Sequence, residues 1–449
     1  MRSLVRVLAC LSLSLGIVSA VRVRSAREAP LLIPKVLAGS FAPLVAMTGA
    51  LSALVGAILG DSLAAIAAGA GALMARRHVC RVTAPHEGFE RAFGEDWAGT
   101  VPAEQTVCLP GHRWTWRLPD SPEPLWERDV AFWTIPDTDR QLLCDRWQPA
   151  DEVRRSGLAF VYLHGSAFYL LDKDVGTRTL FRHLAGQGHV VMDVAYRLCP
   201  ETNLLGMVGD AKRAVAWMKG NAERYGVDAE RIVLAGASAG GCVALLAAYT
   251  LGDPNLTPDD LGDADASVRG VVSYYGPTDL RAYYDHVAAR LLSAMDGVEQ
   301  PRKPSENGFS ARLTRALFGR DIGPMILPSR RRMMRELVGG GPDEVPEMYA
   351  LGSPISHVGP DCPPTLLIQG EHDFVTPTEG VQALHRKLVE AGVPAVYVEL
   401  PATEHAFDIA FPRYSPSAQA ALYDLDRFLA LMAGTGSRRA RRLRPQPNQ

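Results

Sequence analysis

Gly236-Ala237-Ser238-Ala239-Gly240 decides the reading of this chain. It follows Arg231-Ile232-Val233-Leu234-Ala235, a short apolar run that reads as a buried strand. It precedes Gly241-Cys242-Val243-Ala244-Leu245-Leu246-Ala247-Ala248, which reads as a buried helix. Strand, G-x-S-x-G, helix is the pattern of a nucleophile elbow. The turn is sharp, and a Cβ at either flanking glycine would collide with the adjoining strand or helix. Such a turn lifts the Ser238 hydroxyl clear of the sheet, at a helix N-terminus that favours developing negative charge.

Outward from the elbow, apolar runs alternate with amphipathic helices after residue 128. Val130 to Ile135 and Leu142 to Trp147 read as an antiparallel pair around Asp137-Thr138-Asp139. Leu158 to Leu163, His189 to Ala195, Val271 to Tyr275, Thr365 to Gln369 and Val396 to Leu400 read as further strands. Leu204, Val208, Ala211, Val215 and Met218 mark one face of a helix, and Leu422, Leu425, Leu429 and Met432 a closing helix. Thr376-Pro377-Thr378-Glu379 reads as a helix start with Thr376 as N-cap, and Gly392 as its close. This βαβ rhythm predicts a mostly parallel central sheet with helices on both faces. Between about 280 and 352 the rhythm breaks. Tyr283, Tyr284, Leu291, Phe309, Leu317, Met325, Met333 and Met334 suggest a helical cap insertion over the catalytic edge. Its methionines read as cap core sooner than as the lining of an acyl pocket.

A serine attacks only when a base takes its proton and an acid orients that base. In this architecture the chain order is Ser, then Asp or Glu, then His. Asp373, in Gly370-Glu371-His372-Asp373-Phe374, follows one strand directly; His405, in Pro401-Ala402-Thr403-Glu404-His405, follows the last. Both fall at carboxyl ends of strands, where the sites of open α/β sheets form. Glu371 or Glu379 as acid and His372 as base are alternatives; the position after the last strand favours His405. An oxyanion hole needs backbone N–H donors. Gly165 and Ser166, after the strand ending at Leu163, together with Ala239, are the candidates, with His164 propping the loop.

These motifs resemble the hormone-sensitive-lipase-like branch of the α/β-hydrolases, which includes bacterial membrane-associated esterases and arylacetamide deacetylases. The resemblance covers residues 128 to 432. It rests on His164-Gly165-Ser166-Ala167-Phe168, Tyr196-Arg197-Leu198-Cys199-Pro200-Glu201, Gly236 to Gly241, the Asp373 and His405 loops, and Ser353-Pro354-Ile355-Ser356-His357. It implies an α/β-hydrolase fold and a serine carboxylic-ester hydrolase working on small or medium acyl esters, with no metal or organic cofactor. An amide or formamide hydrolase with the same triad, and a non-catalytic ligand-binding protein on the same scaffold, are the other readings. Two positions depart from the branch. The usual H-G-G-G is His164-Gly165-Ser166-Ala167, and the usual Asp before the nucleophile is Ala237.

The first 80 residues have a different character. Val36 to Gly60 is 25 residues without a charge, and as one helix it would span about 37 Å, enough for a hydrocarbon core of about 30 Å. Ser62 to Ala75 is apolar again, and Val7 to Val21 is a third run. The third reads as a signal peptide or, because Arg22, Arg24 and Arg27 follow it directly, sooner as an uncleaved anchor. Transmembrane helices in residues 1–80 are therefore expected, with membrane lipid as a partner. A hairpin turning at Gly60-Asp61 would leave both basic flanks, and the catalytic domain, on the cytoplasmic side. Residues 81–127 read as a connecting segment or an outer strand pair, residues 128–433 as the hydrolase domain, and residues 434–449 as a disordered basic tail. A net charge of −2 over 449 residues gives no reason to expect nucleic acid. The seven scattered cysteines form no C-x-x-C pair and suggest neither a zinc site nor a disulfide framework.

Overall fold

The computed structural model describes residues 1–25, 27–290 and 328–434. Its strands are β1 (Leu125–Thr134), β2 (Gln141–Gln148), β3 (Ala159–Leu163), β4 (Val190–Ala195), β5 (Ile232–Ala237), β6 (Gly270–Tyr274), β7 (Thr365–Gly370) and β8 (Ala395–Leu400). They form one sheet in the order β1-β2-β4-β3-β5-β6-β7-β8. The pairs β1–β2 and β2–β4 are antiparallel and all others parallel. β3, β5, β6 and β7 are buried at every residue, as strands covered on both faces must be. Their side chains alternate between two apolar layers. Ala159, Val161 and Leu163 pack against the helices Leu204–Gly220 and Ala239–Tyr249. Phe160 and Tyr162 face Phe181, Leu425 and Phe428 from the helices Arg178–Gly186 and Pro416–Ala433.

Register positions the functional loops. Leu163 pairs with Gly236, so the loop opening at His164 starts beside the elbow. Gly370 pairs with Leu400, so the Asp373 and His405 loops leave the sheet side by side.

The cap lies only partly within the described residues; Leu291, Phe309, Leu317 and Met325 fall outside them, as does the tail after Gly434. Met333 and Met334, on the helix Arg330–Val338, are buried in the main apolar core and pack there. The segment from His86 to Glu127 does not form an outer strand pair. It holds short helices at Gly88–Phe93, Trp97–Thr100 and Ala103–Thr106, and only its end enters β1. Phe89 anchors it, buried with the tilted Trp97 ring 5.0 Å away.

The N-terminal helices are α1 (Arg2–Ala20), α2 (Leu32–Ser40), α3 (Ala42–Ile58) and α4 (Ser62–Val82). The run Val36–Gly60 is not one helix. It breaks at Phe41, and Pro43 sits in the first turn of α3, where its missing N–H is tolerated. The pair 29–40 and 42–58 is bent by 74°. The apolar run Ser62–Ala75 continues through Arg76 and Arg77 to Val82. Among the described residues, by length and composition, α1 alone is a single-helix membrane-span candidate, and the bent pair passes only together.

These helices pack with small residues inside. Gly16 of α1 meets Gly71 and Met74 of α4, and Gly49 and Gly56 of α3 meet Ala68, Ala72 and Ala65. At the other end of α1, Arg6 bonds Asp61 at 2.6 Å. Hence α1 runs parallel to α4, and α3 antiparallel to both. Leu11, Leu51, Leu54, Ile58, Leu63, Ile66 and Leu73 point outward and are exposed.

Candidate active site

Ser238 directly follows β5 with φ +52° and ψ −122°, a conformation rare for a residue with a Cβ and strained by about 1–3 kcal/mol. Its N–H donates to Tyr274 O at 2.8 Å, which pins the turn to β6. Both flanking glycines are required. A Cβ on Gly236 would lie 2.3 Å from Gly240 O, and one on Gly240 would lie 2.2 Å from Leu163 O. Ser238 thus stands at the start of the helix Ala239–Tyr249.

The structure brings Ser238, His405 and Asp373 together. His405 Nε2 lies 3.0 Å from Ser238 Oγ, and His405 Nδ1 lies 2.8 Å from Asp373 Oδ2. Asp373 is buried, and its Oδ1 accepts the N–H groups of Val375 and Thr376, both at 2.8 Å. Thr376 is therefore drawn into the aspartate turn and does not cap the next helix. That helix begins one residue later than its sequence suggests, at Thr378, with Pro377 as N-cap. Gly392, at φ +72°, follows its end.

The alternative acids and base are engaged elsewhere. Glu371 accepts the Ala402 N–H at 2.8 Å, and Glu379 lies in the first turn of the helix Thr378–Glu390. His372 Nδ1 lies 2.9 Å from Lys35 Nζ of α2. Burial, and secondly the Lys35 charge, pull the His372 pKa down to about 4, so its neutral ring accepts from the lysine.

Gly165 lies over the elbow, its missing Cβ position 3.4 Å from Ala237 O and 3.5 Å from the Ser238 Cβ. Ser166, where the resembling branch has glycine, uses its hydroxyl. Oγ accepts the Phe168 N–H at 3.0 Å and bonds Tyr196 OH at 2.8 Å. Tyr196 OH also donates to His164 O at 2.8 Å. Ala167 and Phe168 adopt φ +47° and +66°, so this loop holds a glycine-like path at two positions that are not glycine. His164 is buried, its ring 4.7 Å from that of Tyr196.

Four supporting residues carried no distinguishing sequence signal for these roles. Gln369 Nε2 donates to Asp373 Oδ2 at 3.0 Å from inside β7. Tyr275, with φ +42°, lays its ring 4.3 Å from the His405 ring and donates its hydroxyl to Asp408. Tyr196 belongs to a quoted motif, but its hold on the 164–166 loop emerges only in three dimensions. Lys35 is the most distant. Its Nζ bonds Glu404 Oε1 at 2.7 Å, and Glu404 Oε2 accepts the Phe374 N–H at 3.1 Å. Both side chains of this pair are almost fully buried. One ammonium on α2 thus ties the residues adjoining His405 and Asp373. Lys35→Met is expected to strand a buried carboxylate and destabilise the fold by about 3 kcal/mol, read as a lowered melting temperature. Unchanged melting would show that Glu404 is protonated or hydrated without its lysine.

The family described as BD-FAE matches residues 147–310. The chain is 29% identical over 267 residues to the probable carboxylic ester hydrolase LipM of Mycobacterium tuberculosis, covering 59% of this chain and 53% of that protein. It is 28% identical over 280 residues to the esterase LipC of the same organism, covering 62% and 60% respectively. The match therefore spans little more than half the length of these relatives. Esterase 2 of Thermogutta terrifontis in its apo form superposes with a TM-score of 0.48 at 19% identity, over 68% of this chain and 93% of that one. Strand order, elbow and family match agree that this chain carries an α/β-hydrolase domain similar to the esterases of the hormone-sensitive-lipase-like branch.

Proposed function

We propose that the chain is a membrane-anchored serine carboxylic-ester hydrolase acting on small or medium acyl esters. The observation that carries this reading is the pair of His405 contacts, 3.0 Å to Ser238 Oγ and 2.8 Å to Asp373 Oδ2. Ser238 Oγ attacks the ester carbonyl and passes its proton to His405 Nε2. Asp373 holds the imidazole by its Nδ1–H and stabilises the imidazolium. Backbone N–H groups of Gly165, Ser166 and Ala239 donate to the developing oxyanion, each worth about 3 kcal/mol in the transition state. His405 then protonates the departing alcohol. Water, deprotonated by His405, releases the acid from the acyl-enzyme. A panel of p-nitrophenyl esters of rising chain length, set beside matched aryl amides, tests the assignment. Turnover of short esters above amides is expected; amides turned over faster than esters would overturn it.

The anchor rests on the arrangement of α1, α3 and α4, with glycine and alanine inside and leucine and isoleucine outside. That is the inverse of a water-soluble bundle and the usual pattern of helices packing in lipid. Arg22, Arg24, Arg27, Lys35, Arg76, Arg77 and Arg81 cluster at the end that meets the hydrolase domain, against Arg2, Arg6 and Asp61 at the other. The positive-inside rule then places the hydrolase domain in the cytoplasm and the N-terminus across the membrane. Full-length protein is expected to stay with membranes through alkaline carbonate washing; its release into the supernatant would refute the anchor.

A further inference from the structure

A cavity of about 290 Å³ lies where the C-terminal halves of α1 and α4 meet the loops after β7 and β8. Ala20 and Ala402 wall it, and its polar lining is Arg77, His78, Arg81 and His372, with Ser19, whose hydroxyl already donates to Gly16 O. Arg77 and Arg81 are exposed. His78 is only 7% exposed, and neither of its ring nitrogens has a hydrogen-bond partner among the described residues. Buried polar groups are nearly always paired, so an orphaned imidazole beside a cavity signals a missing partner.

The charges around the cavity favour an anion. Lys35 and Arg81 are close enough to His78 to act on it, and Arg22 stands near the neutral His372. Two carboxylates face the same cluster. Glu404 is engaged by Lys35, and Glu371 accepts from Ala402 and stands 3.7 Å from Arg81. The pairing at Arg81 is long and exposed, and leaves its guanidinium able to turn to a ligand. Arginine forks match phosphate oxygens. The cavity also lies within one turn of Ile17 and Leu73, exposed apolar residues of the outward-facing belt.

We propose that this cavity binds the phosphate of an anionic phospholipid headgroup, held by Arg77 and Arg81 with His78 donating from its buried side. The proposal rests on the membrane reading above, because only a bilayer around α1 and α4 brings headgroups to this level. Full-length protein purified in detergent is to be incubated with phosphatidylglycerol, phosphatidylcholine or inorganic phosphate, and retained ligand read by native mass spectrometry. Wild type is expected to retain phosphatidylglycerol in preference to phosphatidylcholine. Arg77→Gln with Arg81→Gln is expected to lower that retention about thirtyfold, from the usual contribution of two basic residues near anionic lipid. Arg24→Gln with Arg27→Gln removes the same charge outside the cavity and is expected to lower retention far less. Equal loss in both double variants, or no preference between the two lipids, overturns the site. Phosphate binding without lipid retention overturns the headgroup assignment. Melting temperature and hydrolysis of a soluble short ester check that the variants fold. If the glutamine pair does not fold, Arg77→Lys with Arg81→Lys decides, with a severalfold loss expected because the forks are gone; full retention would count against the site. Carbonate washing of the same proteins reports the anchor separately: release from the membrane refutes the anchor, whereas membrane retention without lipid preference refutes only the cavity.

Discussion

Ser238→Ala is expected to abolish ester hydrolysis and leave the domain folded. The substitution removes one oxygen, and among the described residues that oxygen bonds only His405. The backbone N–H keeps its bond to Tyr274 O, and Gly236 and Gly240 keep the turn compact. Alanine tolerates φ +52° about as poorly as serine, so no new strain arises. Loss of the nucleophile from a complete triad typically removes about six orders of magnitude in turnover, because the remaining members have nothing to activate. A serine-reactive fluorophosphonate should label the wild type and not the variant, with unchanged circular dichroism. Labelling of the variant would place the nucleophile elsewhere, and an unlabelled wild type would exclude serine chemistry at this elbow.

The elbow was legible because its physics is local. Two glycines, a buried strand and a buried helix are contiguous, and the collisions that forbid a Cβ there involve neighbours close in sequence or the adjoining strand. The Asp373 and His405 loops were legible for a related reason, since each directly follows an apolar run. The sheet and its antiparallel start followed from the same period and order. What stayed hidden depends on distance in the chain. Lys35 reaches Glu404 across 369 residues, and no pattern of one helix marks a lysine that is to be buried by another domain. Charge-free sequence alone also concealed the break at Phe41. The proline there reads equally as a tolerated interior residue or as the first turn of a new helix, and the turn back toward Ala410 and Phe411 decides it. Thr376 fitted a cap by sequence, but a buried carboxylate three residues earlier competes for the same backbone and takes it. Tyr275 and Gln369 sit inside or directly after apolar strand sequence, where a polar residue at the carboxyl edge has no periodic signature.

Asp373→Asn is expected to lower turnover by about ten thousandfold while substrate affinity changes little. The argument follows the donors around the carboxylate. Oδ1 accepts two backbone N–H groups, from Val375 and Thr376. Those donors will hold the one carbonyl oxygen of an asparagine, because the turn cannot rearrange without breaking the start of the next helix. The amide nitrogen then replaces Oδ2, facing His405 Nδ1 and Gln369 Nε2. Two donors now oppose it. The imidazole can relieve the clash only by carrying its proton on Nε2 and presenting a bare Nδ1 to the amide. In that tautomer Nε2–H points at Ser238 Oγ and cannot take its proton, so the chemical step fails although the geometry survives. Glu371→Gln provides the contrast. Its carboxylate accepts a backbone N–H from Ala402 and touches neither His405 nor Ser238, so turnover near the wild-type value is expected. Steady-state kinetics on a soluble short-chain ester measures both. Near-normal turnover in Asp373→Asn, with collapse in Glu371→Gln, would transfer the orienting role to the glutamate and require the loop after β7 to rearrange when substrate binds.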